Sequence, residues 1–355
     1  GEVTVIGGRS RLRAPSAPLF VGNSGTTVRF LSALAVLVPG RTTLVGDEHM
    51  AKRPIADLVA GLRQLGVEVE CATGCPPLTI VGGRLPAGSV TMRGDRSSQY
   101  FSALLLVAGL AEGELTVRVE GDLVSRPYVD MTCRMIGEFG GAIDCDSGAF
   151  IARGTVGYRA RRYRIEPDAS AASYPFALAA AGGHRLEVAG LAAETLQGDF
   201  AFVDVLRAIG ARVERTALGT AVAGTGSLDG IDVDMHHISD TVMSLAAIAP
   251  LCAAPVTIRN VANIRIKECD RLAATMSELG RLGVRVESGE DWLRIHPGPL
   301  RPAEIDCHGD HRIAMSFAVL GACAGGVIIS DPDCTAKTYP GFWNDLAACY
   351  PDKPW

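Results

Sequence analysis

The sequence of 355 residues predicts an α/β protein in which βαβαββ units are repeated and grouped into two domains. Two series of helix and strand patterns recur with a period of about seventy residues, and they are half a period out of phase. The composition agrees, because 48 % of the residues are apolar and only 6 % are aromatic. Such a chain buries aliphatic side chains between helices and sheets.

The first series places a glycine where a helical pattern ends and a strand pattern begins. The four glycines are 70 to 74 residues apart, which indicates one supersecondary unit used repeatedly. A glycine at this point is typical of a helix C-cap in the left-handed conformation. The four segments are Leu65-Gly66-Val67-Glu68-Val69-Glu70, Phe139-Gly140-Gly141-Ala142-Ile143-Asp144, Ile209-Gly210-Ala211-Arg212-Val213-Glu214 and Leu282-Gly283-Val284-Arg285-Val286-Glu287.

The second series consists of small or polar residues followed by apolar runs, a pattern that predicts helix N-termini. Unpaired N–H groups and the positive end of the helix dipole suit such positions to anions. Equivalent positions in successive units are therefore expected to share a ligand. The five helices are predicted to begin near Gly25-Thr26-Thr27, Ser97-Ser98-Gln99, Ser170-Ala171-Ala172, Asp240-Thr241-Val242 and Asp310-His311-Arg312.

The phase of the repeats also predicts where units and domains begin. Residues 3–8 look like residues 78–83, which follow a second helix, so the chain is expected to start inside a unit with about one period missing upstream. The domain boundary is predicted within residues 163–168, giving domains 1–166 and 167–355. The basic run at 159–164 fits either a hinge or a charged surface strand.

Charge and cysteine content exclude several classes of protein. The net charge of −5 gives no global attraction to nucleic acid or acidic membranes, so an anion site must be a local basic cluster. The ten cysteines include no CxxC and no grouping with zinc-ligand spacing. No apolar run is long enough to span a membrane. A reducing, cytoplasmic compartment is expected.

Candidate ligand residues in the first half lie at the predicted helix starts. The turn at 22–27 precedes Arg29 and lacks the lysine of a Walker loop. Lys52-Arg53-Pro54 opens a helix with two cations, which oppose the helix dipole unless an anion binds between them. Ser97-Ser98-Gln99 and Ser125-Arg126-Pro127-Tyr128 offer hydroxyl, amide and guanidinium groups suited to phosphate or a hydroxylated ring. Simple helix capping is the alternative for each.

The second half offers a denser group of charges. Asp240 follows His236-His237-Ile238-Ser239 at a predicted helix start, where a carboxylate usually acts as a structural N-cap. Residues 263–271 contain three cations and two carboxylates within seven positions at a strand-to-helix junction. Exposed salt bridges would explain them, but charges at the carboxyl end of a strand are typical of ligand crevices. Asp310-His311-Arg312 and Thr335-Ala336-Lys337-Thr338 add further cations at matching junctions.

Seven cations therefore fall at equivalent junctions of the repeats. If both domains present these edges to one cleft, an acidic protein gains a cationic pocket for a substrate with several negative charges. The seven are Arg29, Arg53, Arg126, Lys267, Arg271, Arg312 and Lys337.

The motifs in this order resemble the 5-enolpyruvylshikimate-3-phosphate synthases over nearly the whole chain. Eight segments carry the resemblance: 22–29, 52–54, 97–99, 125–128, 166–170, 237–240, 263–271 with 310–312, and 334–337. The resemblance implies two inside-out α/β domains of repeated βαβαββ units, the enolpyruvyl transferase fold. Residues 166–170 and 339–343 are similar to the version fused within the fungal pentafunctional shikimate-pathway protein.

The resemblance also implies which residues bind each substrate. The N-terminal domain would lie on the shikimate 3-phosphate side and the C-terminal domain on the phosphoenolpyruvate side. Shikimate 3-phosphate would be held by Ser97, Ser98, Gln99, Ser125, Arg126, Tyr128, Asp240, Asn263 and Lys267. Phosphoenolpyruvate would be held by Gly25, Thr26, Arg53, Gln99, Arg271, Arg312 and Lys337.

The reaction of the family is addition followed by elimination. The 5-hydroxyl of shikimate 3-phosphate attacks C2 of the enol, a proton goes to C3, and phosphate then leaves. The resemblance makes Asp240, Glu268 and Lys337 the candidates for acid and base, with their division of roles left open. It implies no metal or cofactor, no nucleic acid, no membrane, and either a monomer or one domain of a larger pathway protein.

Two other functions are weighed against this one. The sister enzymes that act on UDP-N-acetylglucosamine place a reactive cysteine in the loop at 46–53, where this chain has none. An inactive fragment that retains ligand binding is the other alternative, because the family's N-terminal segment, which supplies a lysine and an arginine to the active site, is expected upstream of residue 1.

Overall fold

The computed structural model describes residues 2–146, 148–154 and 156–350. The chain divides into two compact units, Gly1–Tyr163 and Arg164–Trp355. Among the described residues, no helix has the length and apolar character needed to cross a lipid bilayer.

The first unit contains two βαβαββ repeats with the same topology. In each sheet the first and second strands are parallel, the fourth strand pairs antiparallel with the second, and the third pairs antiparallel with the fourth. The resulting orders are β1-β2-β4-β3 and β5-β6-β8-β7. The first repeat consists of β1 (Leu19–Phe20), α1 (Gly25–Ala35), β2 (Gly40–Val45), α2 (Ala56–Gln64), β3 (Glu68–Glu70) and β4 (Leu78–Gly82). The second consists of β5 (Gly88–Arg93), α3 (Ser98–Ala108), β6 (Glu114–Glu120), α4 (Arg126–Glu138), β7 (Ile143–Asp146) and β8 (Ala149–Arg153).

The second unit contains three groups of elements. The first has the sheet order β10-β11-β9 and consists of α5 (Ala169–Gly182), β9 (Arg185–Ala189), α6 (Phe202–Ala208), β10 (Arg212–Arg215) and β11 (Gly219–Ala223). The next is a complete repeat of order β12-β13-β15-β14, with β12 (Ile231–Asp234), α7 (Val242–Ile248), β13 (Val256–Arg259), α8 (Arg271–Arg281), β14 (Val286–Ser288) and β15 (Leu293–Ile295). The last has β16 (Ala303–Ile305) parallel to β17 (Val327–Ile329), with α9 (His311–Ala324) and α10 (Phe342–Cys349).

Short 3₁₀ helices lie at several of the junctions between these elements. They span Arg9–Arg11, Met50–Lys52, Gly198–Ala201, His236–Thr241, Ala249–Leu251, Ala262–Ile266 and Pro332–Lys337.

The first helix of each repeat lies at the centre of its unit. In the second unit α5, α7 and α9 pack on one another, and all seven residues of α7 are buried. In the first unit α1 packs on α3, nine of whose eleven residues are buried. These helices are apolar nearly all round, as expected of core helices. Strands such as β9 alternate exposed and half-buried residues, so the sheets lie outside the helices. The inside-out α/β fold is confirmed.

The four repeat glycines form the predicted helix ends. Gly66, Gly140, Gly210 and Gly283 have φ of 75°, 83°, 106° and 82°. Each donates its N–H to the carbonyl three residues earlier at 2.9–3.0 Å, and the next residue donates to the carbonyl five residues earlier. This arrangement satisfies the last carbonyls of the helix and turns the chain into the following strand. The conformation is one that a residue with a side chain adopts only with strain.

One local prediction is wrong. Residues 3–8 form no strand, and Val3, Val5 and Ile6 are 88 %, 84 % and 75 % exposed, because no strand among the described residues pairs with them. Helix α7 begins at Val242, within the predicted start, and Asp240 lies inside the preceding 3₁₀ helix.

Candidate functional site

In the second unit, five chain segments bring charged side chains together at the starts of the core helices. The 3₁₀ helices His236–Thr241, Ala262–Ile266 and Pro332–Lys337 lead into this region, as do the first residues of α8 and α9. Asp270 and Asp310 cap these two helices by accepting the backbone N–H groups of Ala273 at 3.0 Å and Arg312 at 2.9 Å. The caps place Arg271 and Arg312 in the first turns of their helices.

Asp240 lies at the centre of three cations. Its Oδ1 is 3.3 Å from Nη1 of Arg271 and 3.6 Å from Nζ of Lys267, and its Oδ2 accepts from Nη2 of Arg312 at 2.9 Å. The carboxylate therefore does not cap α7, and the structural interpretation of Asp240 as an N-cap is wrong. Its side chain is 19 % exposed, so it stays accessible to a ligand while its charge is shared among the three cations.

Arg271 connects three carboxylates. Its Nε donates to Oδ2 of Asp310 at 2.7 Å, and its Nη2 donates to Oε2 of Glu268 at 2.7 Å, in addition to the Asp240 contact. The side chain is only 2 % exposed. Such a guanidinium is held in one orientation by bonds on several of its edges.

Glu268 and Lys337 form the next pair in the same network. Nζ of Lys337 donates to Oε1 of Glu268 at 2.7 Å, and the two side chains are 27 % and 10 % exposed. All three residues predicted as acid or base candidates, Asp240, Glu268 and Lys337, thus lie in one ion-pair network through Arg271. An ammonium and a carboxylate in direct contact can pass a proton between them.

Charges rather than burial set the protonation of the aspartates. Burial alone would raise the pKa of Asp240, but Arg312, Lys267 and Arg271 outweigh it and hold this pKa well below its usual range. Burial also opposes ionisation of Asp310, and Arg271 again lowers the pKa of that carboxyl. Both groups are carboxylates at neutral pH.

Two buried side chains beside the network are neutral. Burial, together with the charge of Arg312, lowers the pKa of His311 to about 4. Burial raises the pKa of Tyr174 to about 12, and its hydroxyl lies 3.5 Å from Nη1 of Arg312.

Next to Asp240, Asn263 is 9 % exposed and donates from Nδ2 to Oγ of Ser239 at 2.8 Å.

The first unit brings a second group of predicted residues together, at the starts of α1 and α3. Gln99 accepts from Nη1 of Arg29 at 2.6 Å and donates from Nε2 to Oγ1 of Thr26 at 3.1 Å. The guanidinium of Arg29 also lies over the ring of Tyr100, 5.2 Å from its centroid. Gln99 therefore joins two helices of different repeats.

Arg53 lies against the start of α1. Its Nη1 donates to the carbonyl and to the side-chain oxygen of Asn23, both at 3.3 Å, and the residue is 9 % exposed. A Cβ on Gly25 would lie 3.0 Å from the Arg53 guanidinium carbon. The glycine thus permits the close approach that a larger residue would prevent.

The remaining predicted residues of the first unit lie at the starts of α3 and α4. Ser97 caps α3 by accepting the N–H of Gln99 at 3.3 Å, and Ser98 is 5 % exposed. Ser125 has φ of 51°, in the left-handed region, and precedes α4, in which Arg126 lies 3.6 Å from Asp130. Tyr128 donates its N–H to the carbonyl of Ser125 at 3.1 Å.

Some residues of these clusters were not predicted as site residues. Asp310 is fully buried and bonds to Arg271, whereas its sequence context indicates only a helix start. Its position two residues before Arg312, a predicted site residue, could have indicated that Asp310 belongs to the site. Nothing in the sequence indicated Tyr174, because an aromatic residue in an apolar helix usually belongs to the core. Within the described residues, no group of three or more His, Cys, Asp or Glu side chains is placed to hold a metal ion.

Comparisons with known proteins identify one family. The family model for EPSP synthase (3-phosphoshikimate 1-carboxyvinyltransferase) matches residues 1–346. The 3-phosphoshikimate 1-carboxyvinyltransferase of Nostoc punctiforme is 43 % identical over 345 residues, covering 96 % of this chain and 81 % of the relative. That of Shewanella amazonensis is 43 % identical over 335 residues, covering 93 % and 78 %.

Solved structures show the same fold. An EPSP synthase from Acinetobacter baumannii superposes with a TM-score of 0.75 at 24 % identity, covering 95 % of this chain and 79 % of that one. At this identity the likeness supports the fold alone. The family model and the curated relatives go further, and by them the chain belongs to the EPSP synthase (3-phosphoshikimate 1-carboxyvinyltransferase) family.

Proposed function

We propose that this chain transfers the enolpyruvyl group of phosphoenolpyruvate to the 5-hydroxyl of shikimate 3-phosphate and releases phosphate, a step of aromatic amino-acid biosynthesis. Beside the family membership, one observation supports the proposal. Asp240 shares its carboxylate among three cations, and the Glu268–Lys337 pair joins the same network through Arg271. Addition followed by elimination requires anion binding next to groups that give and take a proton.

The second unit supplies the proposed phosphoenolpyruvate groups and the proton-transfer groups. Arg271 and Arg312 are held by carboxylates in fixed orientations, which suits them to a carboxylate or phosphate ligand. Lys337 is partly exposed and adds a third cation. Asp240, Asn263 and Lys267 lie beside them and would contact the shikimate ring.

The first unit supplies the remaining proposed contacts. Ser97, Ser98, Gln99, Ser125, Arg126 and Tyr128 lie at two helix starts, where hydroxyls and backbone N–H groups suit a phosphate and ring hydroxyls. Arg53 contacts Asn23 and Gly25, and Thr26 bonds to Gln99; we propose that Gly25, Thr26, Arg53 and Gln99 contact phosphoenolpyruvate. The two domains would therefore correspond to residues 1–166 and 167–355, with these substrate sides.

The proposed reaction divides the roles among three side chains. Asp240, a carboxylate at neutral pH, accepts a hydrogen bond from the attacking 5-hydroxyl and orients it. In the addition step the 5-hydroxyl gives its proton to Asp240 as its oxygen forms the ether bond to C2, while Lys337 gives a proton to C3. In the elimination step C3 gives a proton to Glu268, the enol double bond re-forms, the C2–O bond to phosphate breaks, and the leaving phosphate takes up the proton held by Asp240. Glu268, 2.7 Å from Lys337, returns the proton to it.

The proposal includes a monomer, or one domain of a larger pathway protein, in the cytoplasm. All ten cysteines lie in the described residues and none is in a disulfide, which supports a reducing compartment.

The test is phosphate release from phosphoenolpyruvate by the full chain, with and without shikimate 3-phosphate. Release that depends on the acceptor is expected, and Glu268→Gln and Lys337→Met should each lower kcat by about 10²- to 10⁴-fold. Arg118→Met and Glu304→Gln, at exposed positions outside the network, are the controls. No release, or release dependent on UDP-N-acetylglucosamine instead, overturns the proposal.

A further inference from the structure

Tyr174 lies in the core of the second unit, yet its hydroxyl reaches the charged network. The residue is in the second turn of α5 and is 1 % exposed. Its hydroxyl lies 3.5 Å from Nη1 of Arg312, in the first turn of α9, and α5 and α9 pack on each other. None of the roles proposed above uses this contact.

The ring of Tyr174 is held by aromatic residues at the start of α10. It meets the ring of Phe342 edge to face, with centroids 5.9 Å apart and an interplanar angle of 76°. Phe342 is 3 % exposed and makes the same kind of contact with Tyr339 and Trp343, with centroids 5.6 Å and 5.1 Å apart. Close packing of this kind fixes the orientation of a side chain. The Tyr174 hydroxyl is therefore presented to Arg312 from a fixed ring.

The two terminal nitrogens of Arg312 have partners of different charge. Nη2 donates to Oδ2 of Asp240 at 2.9 Å, whereas Nη1 lies beside the Tyr174 hydroxyl. Burial raises the pKa of Tyr174 to about 12, so this hydroxyl is neutral. A carboxylate orients a guanidinium and also cancels its charge, as the three carboxylates around Arg271 do. A neutral hydroxyl orients the group and leaves its charge available to an anion.

We propose that Tyr174 is a positioning residue that orients Arg312 for an anionic ligand. The identity of that ligand as phosphoenolpyruvate rests on the proposed function. Asp240 is a poor anchor for Arg312 by itself, because its carboxylate is shared with Lys267 and Arg271. Under the proposed function it also binds the 5-hydroxyl of the other substrate. The Tyr174 contact comes from outside this exchange of charges and keeps the guanidinium in place when the ligands bind.

The first experiment compares the steady-state kinetics of Tyr174→Phe and wild type. The variant loses the hydroxyl and keeps the ring against Phe342. The KM for phosphoenolpyruvate should rise about three- to tenfold, while kcat and the KM for shikimate 3-phosphate stay within about twofold of wild type.

Tyr339→Phe is the matched control, because it removes one hydroxyl from the same aromatic group. That hydroxyl donates to Asp345, an exposed residue, at 2.7 Å. All three constants should stay close to wild type in this variant. Equal effects of the two variants, or equal rises in both KM values of Tyr174→Phe, overturn the proposal.

A double-mutant cycle tests whether Tyr174 acts through Arg312. Arg312→Lys keeps the positive charge but loses the planar group whose edge meets the hydroxyl. In this background Tyr174→Phe should raise the KM for phosphoenolpyruvate no further. Effects that multiply independently would show that Tyr174 acts through another group, and would overturn the proposal.

Crystal structures of the wild type and of Tyr174→Phe give a readout that does not depend on catalysis. The Arg312 guanidinium should be displaced or occupy more than one conformer in the variant, while α5 stays in place. A guanidinium unchanged in position and in a single conformer overturns the proposal. If the wild type releases no phosphate, the proposed function is contradicted instead, and the position of Arg312 alone decides the role of Tyr174.

Discussion

Arg271 donates from Nε to Oδ2 of Asp310 at 2.7 Å, in a pair whose side chains are 2 % and 0 % exposed. The carboxylate also caps α9, and the guanidinium contacts Glu268 and Asp240. The ion pair thus joins the starts of α8 and α9 within the interior of the second unit. Its charges are costly to bury unless each keeps its partner.

Replacing Asp310 with Ala should therefore destabilise the protein by about 3–5 kcal/mol, because it leaves a buried guanidinium without this partner. Denaturant unfolding of the second unit measures the change. Asp232→Ala is the matched control, since Asp232 bonds to Arg259 at 2.6 Å with both side chains more than half exposed. A small effect is expected there. Equal effects at the two positions would contradict the role of burial.

His311 predicts a pH dependence of stability. The fold lowers the pKa of His311 from 6.5 to about 4, so the unfolded chain takes up the proton first as the pH falls. The free energy of unfolding should be unaffected by this group above about pH 6.5 and fall by about 3 kcal/mol between pH 6.5 and 4. The pKa values of Asp240 and Asp310 are lowered from 3.8, so the contributions of these two carboxylates to the free energy of unfolding are lost only below the pH range of the His311 effect.

The measurement is the free energy of unfolding from pH 8 to 4 for the wild type, His311→Gln and His49→Gln. His311→Gln should remove the slope between pH 6.5 and 4. The His49 side chain is 53 % exposed, and its variant should follow the wild type. If His311→Gln keeps the full slope, the neutral buried histidine is not its source.

Gly25 predicts an effect on ligand affinity. In Gly25→Ala the new methyl group would lie 3.0 Å from the Arg53 guanidinium, which must move by a few tenths of an ångström. Under the proposed function this should raise the KM for phosphoenolpyruvate severalfold with little change in stability. Gly280→Ala, where no atom lies within 4 Å of the new methyl group, is the control for steady-state kinetics. Equal KM values for both variants would contradict the assignment of Arg53.

Two glycines of the first unit, one at a repeat position and one inside a helix, predict opposite effects of replacement by alanine. Gly66 has φ of 75° and open space around it, so Gly66→Ala should destabilise by about 1 kcal/mol through backbone strain alone. Gly137 lies within α4 with nothing within 4 Å, so Gly137→Ala should stabilise by about 0.5–1 kcal/mol. Thermal unfolding of both variants tests the pair, and shifts in the same direction would refute the strain argument.

The repeat architecture was predictable because it depends on local chemistry. The helix ends at Gly66 and its three equivalents could be predicted from one rule, that a residue in the left-handed conformation at a helix end is usually glycine. Helices α1, α3 and α9 begin where polar caps precede apolar runs. Residues 3–8 show the limit of this reasoning, because alternation of apolar residues produces a strand only when another strand lies beside it.

The candidate site was only partly predictable. The positions of Arg271, Arg312 and Lys337 at matching junctions indicated that cations would gather. Their partners could not be deduced, since pairs such as Lys337 with Glu268 join residues 69 positions apart through the packing of separate helices. For Asp240 the frequent role of aspartate as an N-cap favoured the wrong interpretation, and only the geometry distinguishes the two.

The network around Arg271 also determines how an anion can enter it. Four cations, Lys267, Arg271, Arg312 and Lys337, are matched with three carboxylates, Asp240, Glu268 and Asp310, leaving an excess of one formal positive charge. Under the proposed function, an incoming anion meets one positive charge in excess and, beyond it, cations that already have a carboxylate partner. Its affinity would then reflect competition with those carboxylates as well as attraction to the excess charge. A carboxylate that loses a cation in this competition would lie next to the bound ligand, where it could act as a base.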